Sequence, residues 1–181
     1  RAEAERLAEA LQRGYRETVT ALVNALRWRD GDTEAHGDRV SERAVAVCDK
    51  LGLDEQQRSD TEYGAIFHDI GKIAVPDSIL HNTDDLTEEE WLVIRQHTVI
   101  GEQIIEPVGF LRGVSRIVRH SHEHWDGSGY PDGLAGEQIP IESRIVFACD
   151  AFDAMTTTRS YQEALSRERG IARMVELPQM E

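Results

Sequence analysis

In segment after segment of this chain, apolar residues recur three and four positions apart, while one-on, one-off alternation is nearly absent. That spacing is the period of a helix with one buried face, so the fold expected is all-α, a bundle of helices around a shared core. Leu7, Leu11, Tyr15, Val19, Leu22 and Leu26 mark a first stripe within residues 1–29. His36, Val40, Ala44, Val47 and Leu51 mark a second, which stops at Gly52, a natural left-handed cap. A third helix opens at Asp54 and runs to about Asp69. Thr87 and Glu90 form a capping box for a fourth, which carries Trp91, Ile94, His97, Ile100 and Ile104 and ends before Pro107. A fifth runs from Leu111 to about His122, and a sixth carries Ile145, Cys149, Phe152 and Met155. Two units are expected: a linker or signalling helix over 1–29, and one domain over 30–181 whose C-terminal end is incomplete.

Charge limits the partners. With 34 acidic residues against 20 basic ones the net charge is −14, the wrong sign for gripping duplex nucleic acid across a general basic face. An anionic ligand then needs a local cluster of cations, either bound metal or a few Lys and Arg side chains. Cys48 and Cys149 sit far apart in apolar helical patterns, as buried thiols of a reduced, cytoplasmic protein do. No run approaches the roughly 18 apolar residues of a membrane span, so no membrane contact by this segment is expected. The first stripe also suits a helix that pairs with its twin in a homodimer and joins an upstream sensor or receiver domain.

The histidines carry the chemistry. Of His36, His68, His81, His97, His120, His122 and His124, the first, second and fourth and the 120–124 group each fall on or at the end of a different expected helix. Helices packed around a centre bring such side chains together. In "AIFHDIGK" an apolar helix carries His68 and Asp69 at its buried end, where the pair must be partnered or must ligate an ion. His120, Glu123 and His124 also spell H-x-x-E-H, an inverted zinc-protease pattern, although a glycine loop follows where its helix should continue.

Four stretches in order, "HDIGKIAVPDSIL", "RQHTVIGEQII", "HEHWDGSGYPDGLAGEQIP" and "SRIVFACDAFDAMTTTRSY", closely resemble the HD-GYP family of bacterial phosphodiesterases, from about Asp30 to Leu165. The resemblance implies an HD-superfamily helical bundle holding two or three divalent metal ions, iron or manganese, that hydrolyses cyclic di-GMP to pGpG or GMP. Its ligands would be His36, His68, Asp69, His97, His122 and Asp150. Mixed imidazoles and carboxylates suit those metals, and a carboxylate is the natural bridge, which casts Asp69 in that role. Lys72 matches a family lysine beside the scissile phosphate, and Arg159 a family arginine that pairs with phosphate or merely ends a helix. In the glycine loop, Tyr130 either stacks on a guanine or pins the loop.

The chain departs from the family in two places. The usual "HHE" is Ser121, His122 and Glu123, so one ligand is missing; His120 is the candidate substitute, provided the helix ends or distorts there. Asp32, four residues before His36, is either a third-metal ligand or a helix cap. Other readings are an HD-superfamily hydrolase acting on a different cyclic dinucleotide or nucleotide, and a catalytically idle metal- or ligand-binding signalling module.

Overall fold

Two helix starts follow directly from short-range chemistry. The Asp54 side chain accepts from Gln57 N while the Gln57 side chain accepts from Asp54 N, and Thr87 and Glu90 repeat the exchange, so each of these helix starts has two backbone amides satisfied. In the computed structural model, which describes residues 34–158 and 164–176 and scattered positions from 3 to 23, the chain is all-α. Its helices are α1 (Glu34–Leu51), α2 (Glu55–Phe67), α3 (Asp77–Leu80), α4 (Glu88–Arg95), α5 (His97–Ile105), α6 (Arg112–Arg119), α7 (Ile141–Thr156) and α8 (Arg167–Glu176). A 3-10 turn over Ile70–Ala74 links α2 to α3. Gly52 ends α1 at φ +71, the left-handed conformation expected of it.

The buried face of α1 is Val40, Ala44 and Cys48, one turn apart, whereas Val47 is 37% and Leu51 56% exposed. The stripe read from the sequence is therefore shifted: Cys48, not Val47, continues it inward. With Ala65 of α2, Ile117 of α6 and Ile145, Val146 and Cys149 of α7, these residues make one core cluster. A second joins Tyr63, Phe67, Ile105, Leu111, Val114 and Val118, with Val23 from the N-terminal segment packed among them. Each fully buried Val is worth about 1.5–3 kcal/mol against about 1 kcal/mol for a cap, so packing holds the bundle and the caps set where its helices begin. The remaining apolar positions of the first stripe lie outside the described residues, apart from Leu7, which is exposed.

Two expected helices are shorter than their apolar pattern. The fourth breaks at Gln96 into α4 and α5, and α6 stops at Arg119, leaving His120, Ser121 and His122 on irregular backbone. Among the described residues no helix is long and apolar enough to cross a membrane.

Candidate metal centre

Helix ends, not helix middles, supply most of the donors. His36 sits in the first turn of α1, His68 caps α2, Asp69 precedes the 3-10 turn, His97 opens α5 at the Gln96 break, and Asp150 lies within α7. They converge as two triads. One ligand atom each from His36, His68 and Asp150, and one each from Asp69, His97 and His122, lie within 4.8 Å of one another in their group. Asp69 faces both: its Oδ2 is 3.2 Å from His68 Nε2 and its Oδ1 is 3.5 Å from His97 Nε2. Asp150 Oδ1 stands 3.2 Å from His36 Nε2 and 4.0 Å from His68 Nε2.

The opposite nitrogen of three rings is already engaged. His68 Nδ1 lies 2.8 Å from the Ala65 carbonyl and His97 Nδ1 2.7 Å from the Ile94 carbonyl, each in a helix's last turn before the histidine. His36 Nδ1 lies 2.6 Å from Asp153 Oδ2. These acceptors require N–H at Nδ1 and leave an Nε2 lone pair turned toward the triads. His97 Nε2 and His122 Nε2 are buried and make no hydrogen bond, an arrangement that is costly in a closed protein and fits a bound cation. The donor set, four imidazoles and two carboxylates, suits divalent metal.

Protonation follows burial and charge. Burial opposes a charge on His68, but Asp69 and Asp150 outweigh it and raise the imidazole to about 9, a proton that any cation must displace. Burial drives His122 down to about 3, helped by His97, so it is already neutral and ready to donate. Asp69 stays well below the usual carboxylate range despite burial because His68 and Lys72 face it, the Lys72 ammonium at 2.9 Å.

Asp153 was not singled out from the sequence. It is fully buried and receives His36, a fork of Arg39 at 2.7 and 2.8 Å, and Arg43. Its signal was the i, i+3 spacing from Asp150 in "DAFD", with Arg39 at the same step from His36, which puts each pair on one helix face. The Ala65 and Ile94 carbonyls left no signal at all, being backbone atoms.

The loop after α6 is built to hold His122. Gly127 takes φ +79, while Gly129 is needed for space: a Cβ there would lie 2.3 Å from His124 N and 2.5 Å from His122 O. The Glu123 carboxylate accepts from Asp132 N at 2.7 Å and Leu134 N at 3.0 Å, tying the loop's two sides. Tyr130 N donates to His122 O, and its ring stacks on the His122 ring at 5.2 Å and 9°. Tyr130 thus pins the loop to a site imidazole.

His120 does not join the triads. Its Nε2 pairs with Asp132 Oδ2 at 3.0 Å, although α6 does end where a substitute ligand would require. Ser121, in the place of the expected histidine, turns its hydroxyl back to the Val118 carbonyl. The H-x-x-E-H reading fails on the same geometry: His120 meets Asp132, Glu123 holds backbone amides and His124 pairs with Ser128, all beyond the end of the helix. Asp32 and Arg159 lie outside the described residues.

Arg119 forks onto Asp132 at 2.7 and 2.8 Å, and these hydrogen bonds hold the carboxyl down to about 2. A carboxyl depressed on folding stabilises the loop above its ordinary 3.8, and that contribution disappears as pH falls from there toward 2. Trp125 fluorescence, which reports the loop, is expected to change across that window in the parent and at higher pH in Arg119→Gln; identical profiles would remove Asp132 from the loop's support.

An all-helical bundle with a His-Asp dipeptide at its centre defines a class, and the comparisons give the same answer: the chain belongs to the HD domain family, whose model matches residues 9–179. Its motifs place it in the HD-GYP branch. It is 43% identical over 159 residues to the cyclic di-GMP phosphodiesterase response regulator RpfG of Xanthomonas campestris, covering 87% of this chain and 42% of that protein. It is 35% identical over 161 residues to the 3'3'-cGAMP-specific phosphodiesterase 2 of Vibrio cholerae, covering 88% and 31%. The chain therefore spans less than half the length of these relatives. In fold it matches the crystal structure of a cyclic GMP-AMP specific phosphodiesterase of V. cholerae with a TM-score of 0.68 at 20% identity, over 90% of this chain and 44% of that one.

Proposed function

We propose that this domain is a metal-dependent phosphodiesterase that opens cyclic di-GMP to pGpG or GMP, and that it is the output unit of a longer bacterial signalling protein. The observation that carries the reading is the pair of adjacent triads, with Asp69 of one turning an oxygen toward His68 of the other and the buried Nε2 atoms of His97 and His122 lacking any hydrogen-bond partner. His36, His68 and Asp150 would hold one ion and His97 and His122 the other, with Asp69 between them. Two divalent ions, iron or manganese, would supply a hydroxide at neutral pH and polarise the phosphate oxygens.

The chain's own residues do the rest. Asp153, Ala65 and Ile94 orient the imidazoles; Tyr130 and Glu123 keep His122 in place; Lys72, beside Asp69, offers a positive charge where negative charge develops on phosphate. Asp153→Asn keeps the packing but weakens the acceptor of His36, and the expected result is metal binding about 10–100-fold weaker at that triad, read by chelator competition. Unchanged affinity would reduce Asp153 to a packing residue.

Incubating the anaerobically iron- or manganese-loaded protein with cyclic di-GMP and separating the products tests the main reading. Linear pGpG or GMP supports it. Running 3'3'-cGAMP beside it addresses the second reading, favoured by the likeness to the V. cholerae enzyme; faster turnover of that substrate would transfer the assignment. Tight binding without product would make the domain a signalling module, as Ser121 in place of a histidine suggests. An upstream sensor or receiver, a homodimer through residues 1–29, a domain over 30–181 and a cytoplasmic setting belong to the same proposal.

A further inference from the structure

Arg95 is the last residue of α4, two positions before His97, and its guanidinium stands 5.6 Å from the centroid of the Tyr130 ring that stacks on His122. It is exposed at the rim of the centre, and no carboxylate among the described residues pairs with it. This sets it apart from Arg39, Arg43, Arg58 and Arg119, each committed to an Asp or Glu. Lys72, the other cation whose charge reaches Tyr130, is already bonded to Asp69.

A cyclic dinucleotide carries two phosphodiesters on one small ring. When one of them sits at the triads, the other lies a short, fixed distance away, and in a chain of net charge −14 it needs a local cation. Resting on the reading above, we propose that Arg95 is a substrate-binding residue that takes the second, uncleaved phosphate of the cyclic dinucleotide. The Tyr130 ring gives the guanidinium a cation–π seat at 5.6 Å, and a guanidinium is the fork that matches phosphate oxygens. Because the ring that seats Arg95 also holds His122, the anchor for one phosphate is registered to the site that receives the other.

The test compares the metal-loaded parent, Arg95→Ala and Arg95→Lys on cyclic di-GMP and on bis(p-nitrophenyl) phosphate, which has a single phosphodiester. For Arg95→Ala, a loss of one charge-assisted contact corresponds to a rise in KM for cyclic di-GMP of about ten- to a hundredfold, with kcat much less affected. Equilibrium binding of cyclic di-GMP should weaken by the same factor and lose part of its salt dependence, Arg95→Lys should recover part of it, and metal content should match the parent. An equal loss on both substrates would show that Arg95 only props Tyr130 and would overturn the proposal, as would an unchanged KM. If the parent itself neither binds nor cleaves cyclic di-GMP, the functional reading fails before Arg95 is reached.

Discussion

Asp69→Ala is expected to lose bound metal and hydrolysis together, whereas Lys72→Ala is expected to keep the metal and lose rate. The two side chains touch at 2.9 Å, yet they face different tasks. Asp69 presents one oxygen to the His68 side and the other to the His97 side, so its removal strips negative charge from both triads at once and leaves His68, His97 and His122 with no common carboxylate. Buried imidazoles that must stay neutral cannot make up that charge. Lys72 donates nothing to a cation; on the proposed function its loss would remove a charge from where the substrate phosphate would sit, and is expected to cost about 10²–10³ in kcat, in the range of a lost oxyanion donor. Metal analysis and turnover on the same preparations separate the two. An Asp69→Ala protein with its full metal complement and activity would refute the shared-carboxylate assignment.

The second large effect comes from a residue without a side chain. A Cβ on Gly71 would lie 1.8 Å from the His97 carbonyl oxygen and 2.7 Å from Gly101 N, all backbone atoms that cannot swing aside. Gly71→Ala must therefore push the 3-10 turn away from α5, separating Asp69 from His97. Overpacking of this kind costs about 1–3 kcal/mol, and the backbone contact puts it near the upper end, a Tm loss of about 6–12 °C. Metal occupancy should fall as well. Gly109→Ala, where nothing lies within 4 Å, serves as the control, and a Gly71→Ala protein that melts and loads like the parent would show that the turn has room to move.

The features legible in the sequence were those written in local chemistry. The capping residues Asp54 and Thr87, the stop at Gly52 and the span of α7 all follow from side chains acting within a few residues, and the structure has them. The histidines at helix ends, with Asp69 beside His68, pointed to a shared centre because buried polar groups there need partners, but the full set, with Asp150 inside α7, was legible only through the resemblance to a known family.

Tertiary geometry was harder to read. Gln96 is neither glycine nor proline, yet the chain breaks there to turn His97 inward, and α6 ends at Arg119 because His122 must join Tyr130 in an isolated bridge. Whether His120 would substitute for Ser121 depended on Asp132, twelve residues on, which gives its ring another partner. Tyr130 was readable as an aromatic beside glycines, but its partner, the His122 ring, belongs to the fold.

Asp153 has a consequence for how the domain comes apart. This one carboxylate joins α7 to three side chains of α1, one of them at the centre's edge. Prying α1 from α7 therefore breaks the support of His36 in the same event. A cation held by His36 and Asp150 would add its binding free energy to the grip between the two helices, and chelating it would be expected to lower the melting temperature of the whole bundle.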